Sequence, residues 1–109
     1  MTALALFKMT GATSTTDVTV ETDDNVTDTA PVSSGVTLAT VFKRFVIDFT
    51  GGKSNVKFYI DGVRVAASTT FTMASYTAGL QPFVQIQKAA NTNVDAITVD
   101  YVKIVAKRA

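Results

Sequence analysis

The chain contains no cysteine, no histidine and no tryptophan, and Glu21 is its single glutamate. Without cysteine there is no disulfide staple, no thiolate metal site and no thiol nucleophile. That agrees with folding in a reducing cytoplasm. Without histidine the usual general base, the usual zinc ligand and every Ser-His-Asp or Cys-His arrangement are missing. Gly51-Gly52 falls between two strand-like stretches and opens no helix, so no phosphate-cradling loop is present. No apolar run approaches the roughly 18 residues of a membrane-spanning helix. Residues Met1 to Phe7 lack the basic start and long apolar stretch of a signal peptide and read as a first strand. The expectation is a protein that is not an enzyme, carries no cofactor and crosses no membrane.

Charge is also scarce. Charged residues make up 17% of the chain and apolar residues 47%, so the surface relies on uncharged polar groups. Threonine is the commonest residue and valine the next. Both are β-branched, stiff at χ1 and suited to a pleated surface, whereas leucine, glutamate and lysine are sparse. This composition predicts an all-β fold with no significant helix. At 109 residues the chain makes a single domain, residues 1–109. The net charge of +1 divides unevenly: residues 1–42 carry one basic and five acidic side chains, and residues 43–109 nine basic and four acidic. Two solvated faces would account for this. So would complementary patches that meet between copies.

Along the chain, Thr13–Thr16 and Asp28–Gly35 are rich in Ser, Thr, Asp, Pro and Gly and predict loops. Between them Val18 and Val20 alternate with Thr19 and Glu21, the period of a strand. Val36–Ala39 is a shorter alternating piece. In Phe42–Phe49, Phe45, Ile47 and Phe49 face one way and Arg44 and Asp48 the other. Thr50–Lys53 reads as a turn, after which Val56, Phe58 and Ile60 resume the alternation. Asp61-Gly62 is the strongest hairpin signal, because a type I′ turn needs positive φ at both central residues. Val63 and Val65 return, with Arg64 outward. Leu80–Gln87 and Ile97–Val105 predict two further strands, with Pro82 at a start, an edge or a bulge. The expected core is Phe45, Ile47, Phe49, Val56, Phe58, Ile60, Val84, Ile86, Val99 and Tyr101. Seven to nine short, evenly spaced strands predict an antiparallel β-sandwich.

Three groups of residues are candidates for function. Glu21 to Asp28 offers carboxylates to a hard cation, but lacks the Asp-x-Asp-x-Asp-Gly spacing that wraps ligands round one ion, so no metal site is expected. Tyr59, Tyr76 and Tyr101 could stack on sugar rings; packing at the core or its rim is the other reading. Basic residues are scattered singly, without the clustering of a nucleic-acid surface, so no nucleic-acid partner is expected.

Arg44-Phe45-Val46-Ile47-Asp48-Phe49 followed by Val56-Lys57-Phe58-Tyr59-Ile60-Asp61-Gly62-Val63 resembles the concanavalin A-like lectin/glucanase family. There a strand reading x-F-x-I-x-F leads into V-x-F-Y-I-D-G-x-x-V. Leu80–Lys88 and Ile97–Val102 look like the ends of such domains in tailed-phage structural proteins. The resemblance covers about the last 65 residues well and the first 40 poorly. It implies a jelly-roll-like sandwich of two antiparallel sheets. The catalytic carboxylates of the family's hydrolases and the calcium and manganese site of its lectins have no counterpart here, and no site residue transfers.

The resemblance and the missing chemistry together suggest a capsid decoration (cement) protein. It would be made in the host cytoplasm, sit on the virion surface and bind the major capsid protein, as a homotrimer. The expected contact residues are Leu4, Phe7, Asp23 and Asp24 on one side and Arg64 and Lys88 on the other, with residues 1–9 as an intersubunit strand or arm. The alternative is a carbohydrate- or receptor-binding module of a phage fibre, with Tyr59 and Tyr76 as the glycan platform.

Overall fold

The structure, a computed structural model, describes residues 3–9, 17–37, 41–86 and 97–105. The chain divides into two units, Met1–Ala78 and Gly79–Ala109. The first contains every strand among the described residues, and no described residue is helical. Strands β1 (Leu4–Lys8), β2 (Asp17–Asp23) and β3 (Asp28–Thr37) form one sheet in that order. Strands β4 (Phe45–Asp48), β5 (Lys57–Ile60) and β6 (Val63–Val65) form the other. All pairings are antiparallel. The protein is thus all-β, as its threonine and valine content predicts.

Period-two alternation explains how the sheets share a core. On β2, Val18, Val20 and Thr22 point inward and are buried, while Thr19 and Glu21 lie on the other face. On β5, Phe58 and Ile60 are buried between Lys57 and Tyr59. Phe58 is fully enclosed, edge-on to Phe7 of β1 at 5.3 Å and to Phe71 at 5.0 Å between ring centroids. Offset and edge-to-face aromatic contacts of this kind add stability beyond the area they bury. Ile47 and Phe49 flank the same cluster, as expected from the sequence.

Residues 66–78 close this core without forming a strand. Val56 donates its N–H to the Phe71 carbonyl at 2.9 Å, and Met73 donates to the Lys53 carbonyl at 2.6 Å. These two bonds seat Phe71 and Met73 in the interior, where both are buried. Neither was among the expected core residues. The signal for them was present, since Thr70-Phe71-Thr72-Met73 alternates polar and apolar.

Two expectations in this unit are corrected. The stretch Asp28–Gly35, read as a loop, lies within β3. It tolerates Pro31 and Gly35 because β3 is an edge strand with two irregularities in its ladder. Thr22 pairs with Thr29 and Val20 with Val32, so β3 carries one residue more than β2 across Pro31. A second surplus lies between Ser33 and Thr37, where Gly35 takes φ of 72°. Also, residues 4–8 are no arm. They pair along β2 of their own chain, Leu4 with Asp23 through Lys8 with Thr19.

The hairpin from β5 to β6 forms as the sequence indicates. Asp61 and Gly62 have φ of 51° and 82°, and Ile60 pairs with Val63.

In the second unit the described residues, 79–86 and 97–105, form no strand. The expected core residues Val84, Ile86, Val99 and Tyr101 are exposed there, Tyr101 at 62%. Phe45 is also more exposed than a core position. Alternation describes a side-chain pattern, but a strand exists only where a neighbour completes its hydrogen-bond ladder. Among the described residues nothing pairs with these segments. Pro82, Phe83, Val84 and Val102 line an open apolar hollow of about 270 Å³. Gln87 and Lys88 lie outside the described residues.

Candidate functional site

The outward face of the β4-β5-β6 sheet gathers side chains the core does not need. Cross-strand register aligns Val46, Tyr59 and Arg64 in one row, and Asp48 with Lys57 in the next. Tyr59 thus lies between an aliphatic and a cationic neighbour on the same face. Asp48 accepts a hydrogen bond from the Thr50 backbone N–H at 2.8 Å. The Thr50 side chain and N–H hold its carboxyl below the ordinary value of 3.8, and the Lys57 charge acts in the same direction.

At one end of this face the Asp61-Gly62 turn is fastened to the residues entering β4. Asp61 donates its N–H to the Arg44 carbonyl at 2.8 Å, and its carboxylate accepts the Arg44 N–H at 2.9 Å. Lys43 Nζ lies 3.6 Å from the same carboxylate. Three contacts therefore join the turn to the residues entering β4. Val41, Phe42 and Val63 stand exposed beside it in the chain.

The sequence-expected contact residues do not form one patch. Leu4 and Asp23 are cross-strand partners on the outward face of the first sheet and are half-buried. Phe7 points the other way, into the core, 5.0 Å from the Phe45 ring. Asp24 is 2% exposed. Its Oδ1 accepts the N–H groups of Val26 at 3.0 Å and Thr27 at 2.7 Å, and its Oδ2 that of Ser75 at 3.1 Å. The bonds from Thr27 and Ser75 hold its carboxyl below the ordinary 3.8. Phe7 and Asp24 are thus committed inside the fold. Charge and position in sequence suggested a surface role for Asp24, but the β2–β3 turn needed an acceptor for its own amides. Arg64 is exposed on the sheet face described above.

Of the glycan-platform candidates, Tyr59 lies on the outward face, whereas Tyr76 packs against the core and its carbonyl accepts Lys53 Nζ at 2.7 Å. In the acidic stretch, Asp23 Oδ1 accepts the Asn25 N–H at 2.9 Å. Among the described residues no three acidic side chains converge as an ion site would require. Sequence reasoning passed over Val46 as a surface residue; its position between Phe45 and Ile47, both inward, was the available signal. Set against protein families, curated proteins and solved structures, the chain matches none of them.

Proposed function

We propose that this chain is a non-enzymatic structural protein of a tailed-phage virion, a capsid decoration (cement) protein working through contact area. In this reading the two sheets belong to a compact jelly-roll-like sandwich. The protein is made in the host cytoplasm and binds the major capsid protein on the virion surface. The observation that carries the reading is the apolar exposure of the second unit. Among its described residues Ile97, Val102, Ile104 and Val105 stand open, Val105 at 86%. Exposed apolar side chains gathered in one stretch of chain are a mark of a surface that meets a partner. The absence of histidine and cysteine agrees with work done by contact rather than by chemistry.

The test is co-sedimentation of the purified chain with phage heads stripped of accessory proteins. Binding that is lost in a Val102→Asp, Ile104→Asp variant supports the proposal. Failure of the intact chain to sediment with any such heads removes it.

Tyr59 favours a second reading, a glycan-binding module of a phage fibre. A tyrosine on an open sheet face beside Arg64 is the type of platform on which a sugar ring stacks. Saturable binding on a glycan array, abolished by Tyr59→Ala, would establish this reading in place of the first.

A further inference from the structure

Among the described residues no strand is hydrogen-bonded to the outer edge of β4, although β1 of the other sheet lies against it, with Phe7 on Phe45 at 5.0 Å. β4 is the last strand on its side of the β4-β5-β6 sheet, and its pairing with β5 runs from Phe45 to Asp48 without a shift. It contains neither proline nor glycine. By contrast β3, an edge of the other sheet, is interrupted by Pro31 and two register shifts. Exposed edges left this regular are ready templates for another strand.

The direction of the free backbone groups follows from the ladder. The Arg44 carbonyl accepts the Asp61 N–H, so Arg44 bonds toward β5. Antiparallel pairs alternate between bonded and non-bonded, so Val46 and Asp48 also bond toward β5. Phe45 and Ile47 therefore turn their N–H and C=O groups to the open edge. Arg44, Val46 and Asp48 share the outward face.

We propose that β4 pairs antiparallel with β4 of a second copy about a two-fold axis at Val46, joining two three-stranded sheets into one. Only residues of the same parity can face each other across this edge, because a slip of one residue would turn the bonding groups away. Placing Val46 on the axis sets Phe45 opposite Ile47 of the partner and lets them exchange backbone hydrogen bonds. The same register sets Arg44 opposite Asp48 of the partner, and the symmetry repeats that pair on the other side of the axis. A strand with a cation just before its first residue and an anion at its last is self-complementary in this arrangement. Neither Arg44 nor Asp48 has an ion-pair partner within 4 Å among the described residues, although Asp48 feels the charge of Lys57 opposite it on β5. Val46 is 38% exposed, enough for the two valines to meet across the axis.

No other edge among the described residues offers the same match. β6 has three residues, and β1 has one charged residue, Lys8, which lies 3.9 Å from Glu21. A two-fold contact is a different arrangement from the homotrimer expected of a decoration protein. It stands independently of the decoration reading, since capsid attachment and β4 pairing use different residues.

Light scattering on the full chain tests the pairing. The unaltered chain should be a dimer. Arg44→Asp and Asp48→Arg each place like charges across the axis and should weaken the dimer by about tenfold or more. Both variants should still unfold cooperatively, Asp48→Arg at a lower temperature because it loses the acceptor of the Thr50 N–H and faces Lys57. Mixed in equal amounts, the two variants restore both opposite-charge pairs and should associate as tightly as the unaltered chain. The proposal is overturned if the unaltered chain is a monomer or a trimer. It is equally overturned if the mixture is no tighter than either folded variant alone.

Discussion

The Asp24 carboxylate accepts the backbone N–H of Ser75, 51 residues further along the chain, at 3.1 Å. It thereby ties the β2–β3 turn to the stretch that closes the core. Because hydrogen bonds to the ionised form lower its pKa, the fold prefers Asp24 charged. The stability it contributes is present above the ordinary value of 3.8 and is lost as pH falls through the lower folded value. Urea midpoints should therefore fall as the solution is acidified below about pH 4, and Asp24→Asn should flatten that fall. An unchanged acid dependence in the variant would remove Asp24 from this role.

Phe58 touches aromatic rings from β1 and from the closing stretch at once. Truncation to alanine leaves a cavity between both sheets and should cost about 3–5 kcal/mol. In a domain with total stability of about 5–15 kcal/mol, much of the population would unfold. Urea denaturation followed by circular dichroism measures the loss. A native midpoint for Phe58→Ala would show that the sheets do not share this core.

Thr22 is fully buried between Ala5 and Thr29 on the inward face, and its hydroxyl has no hydrogen-bond partner among the described residues. Val is nearly the same shape and has nothing to satisfy. Thr22→Val should raise stability by about 1 kcal/mol, read as a higher urea midpoint. A fall would mean that the hydroxyl is bonded after all.

Gly62 takes φ of 82° in the hairpin turn, and a Cβ there would meet nothing nearer than Arg44 Nη2 at 4.0 Å. The cost of Gly62→Ala is therefore conformational rather than steric, about 1–2 kcal/mol. Gly62→Asn should cost less than alanine, because asparagine visits the left-handed region more readily. Equal losses for the two would argue against a backbone origin.

The hairpin from β5 to β6 was the most legible part of the chain. Asp61-Gly62 has a local cause, positive φ, and the strands beside it alternate without interruption. Strand β3 was illegible because its composition is that of a loop; neighbouring β2 supplies the ladder that its own residues do not advertise. Asp24 was misplaced for a related reason. Sequence shows a carboxylate in an acidic run, but its role is set by amides at Val26, Thr27 and Ser75 that only the fold brings to it. The segments after Gly79 show the opposite failure. Their alternation is clear, yet a strand also needs a partner, and pattern alone does not provide one.

The way residues 66–78 seal the core has a chemical consequence. Met73 has no accessible surface, whereas Met9 is exposed. Peroxide reaches a thioether only where solvent does, and the sulfoxide it forms is too polar for an apolar interior. Met9 should therefore oxidise at once, and Met73 only during the moments when the closing stretch lifts away. The ratio of the two rates is a built-in clock for that opening, read by mass spectrometry on the native protein without any substitution.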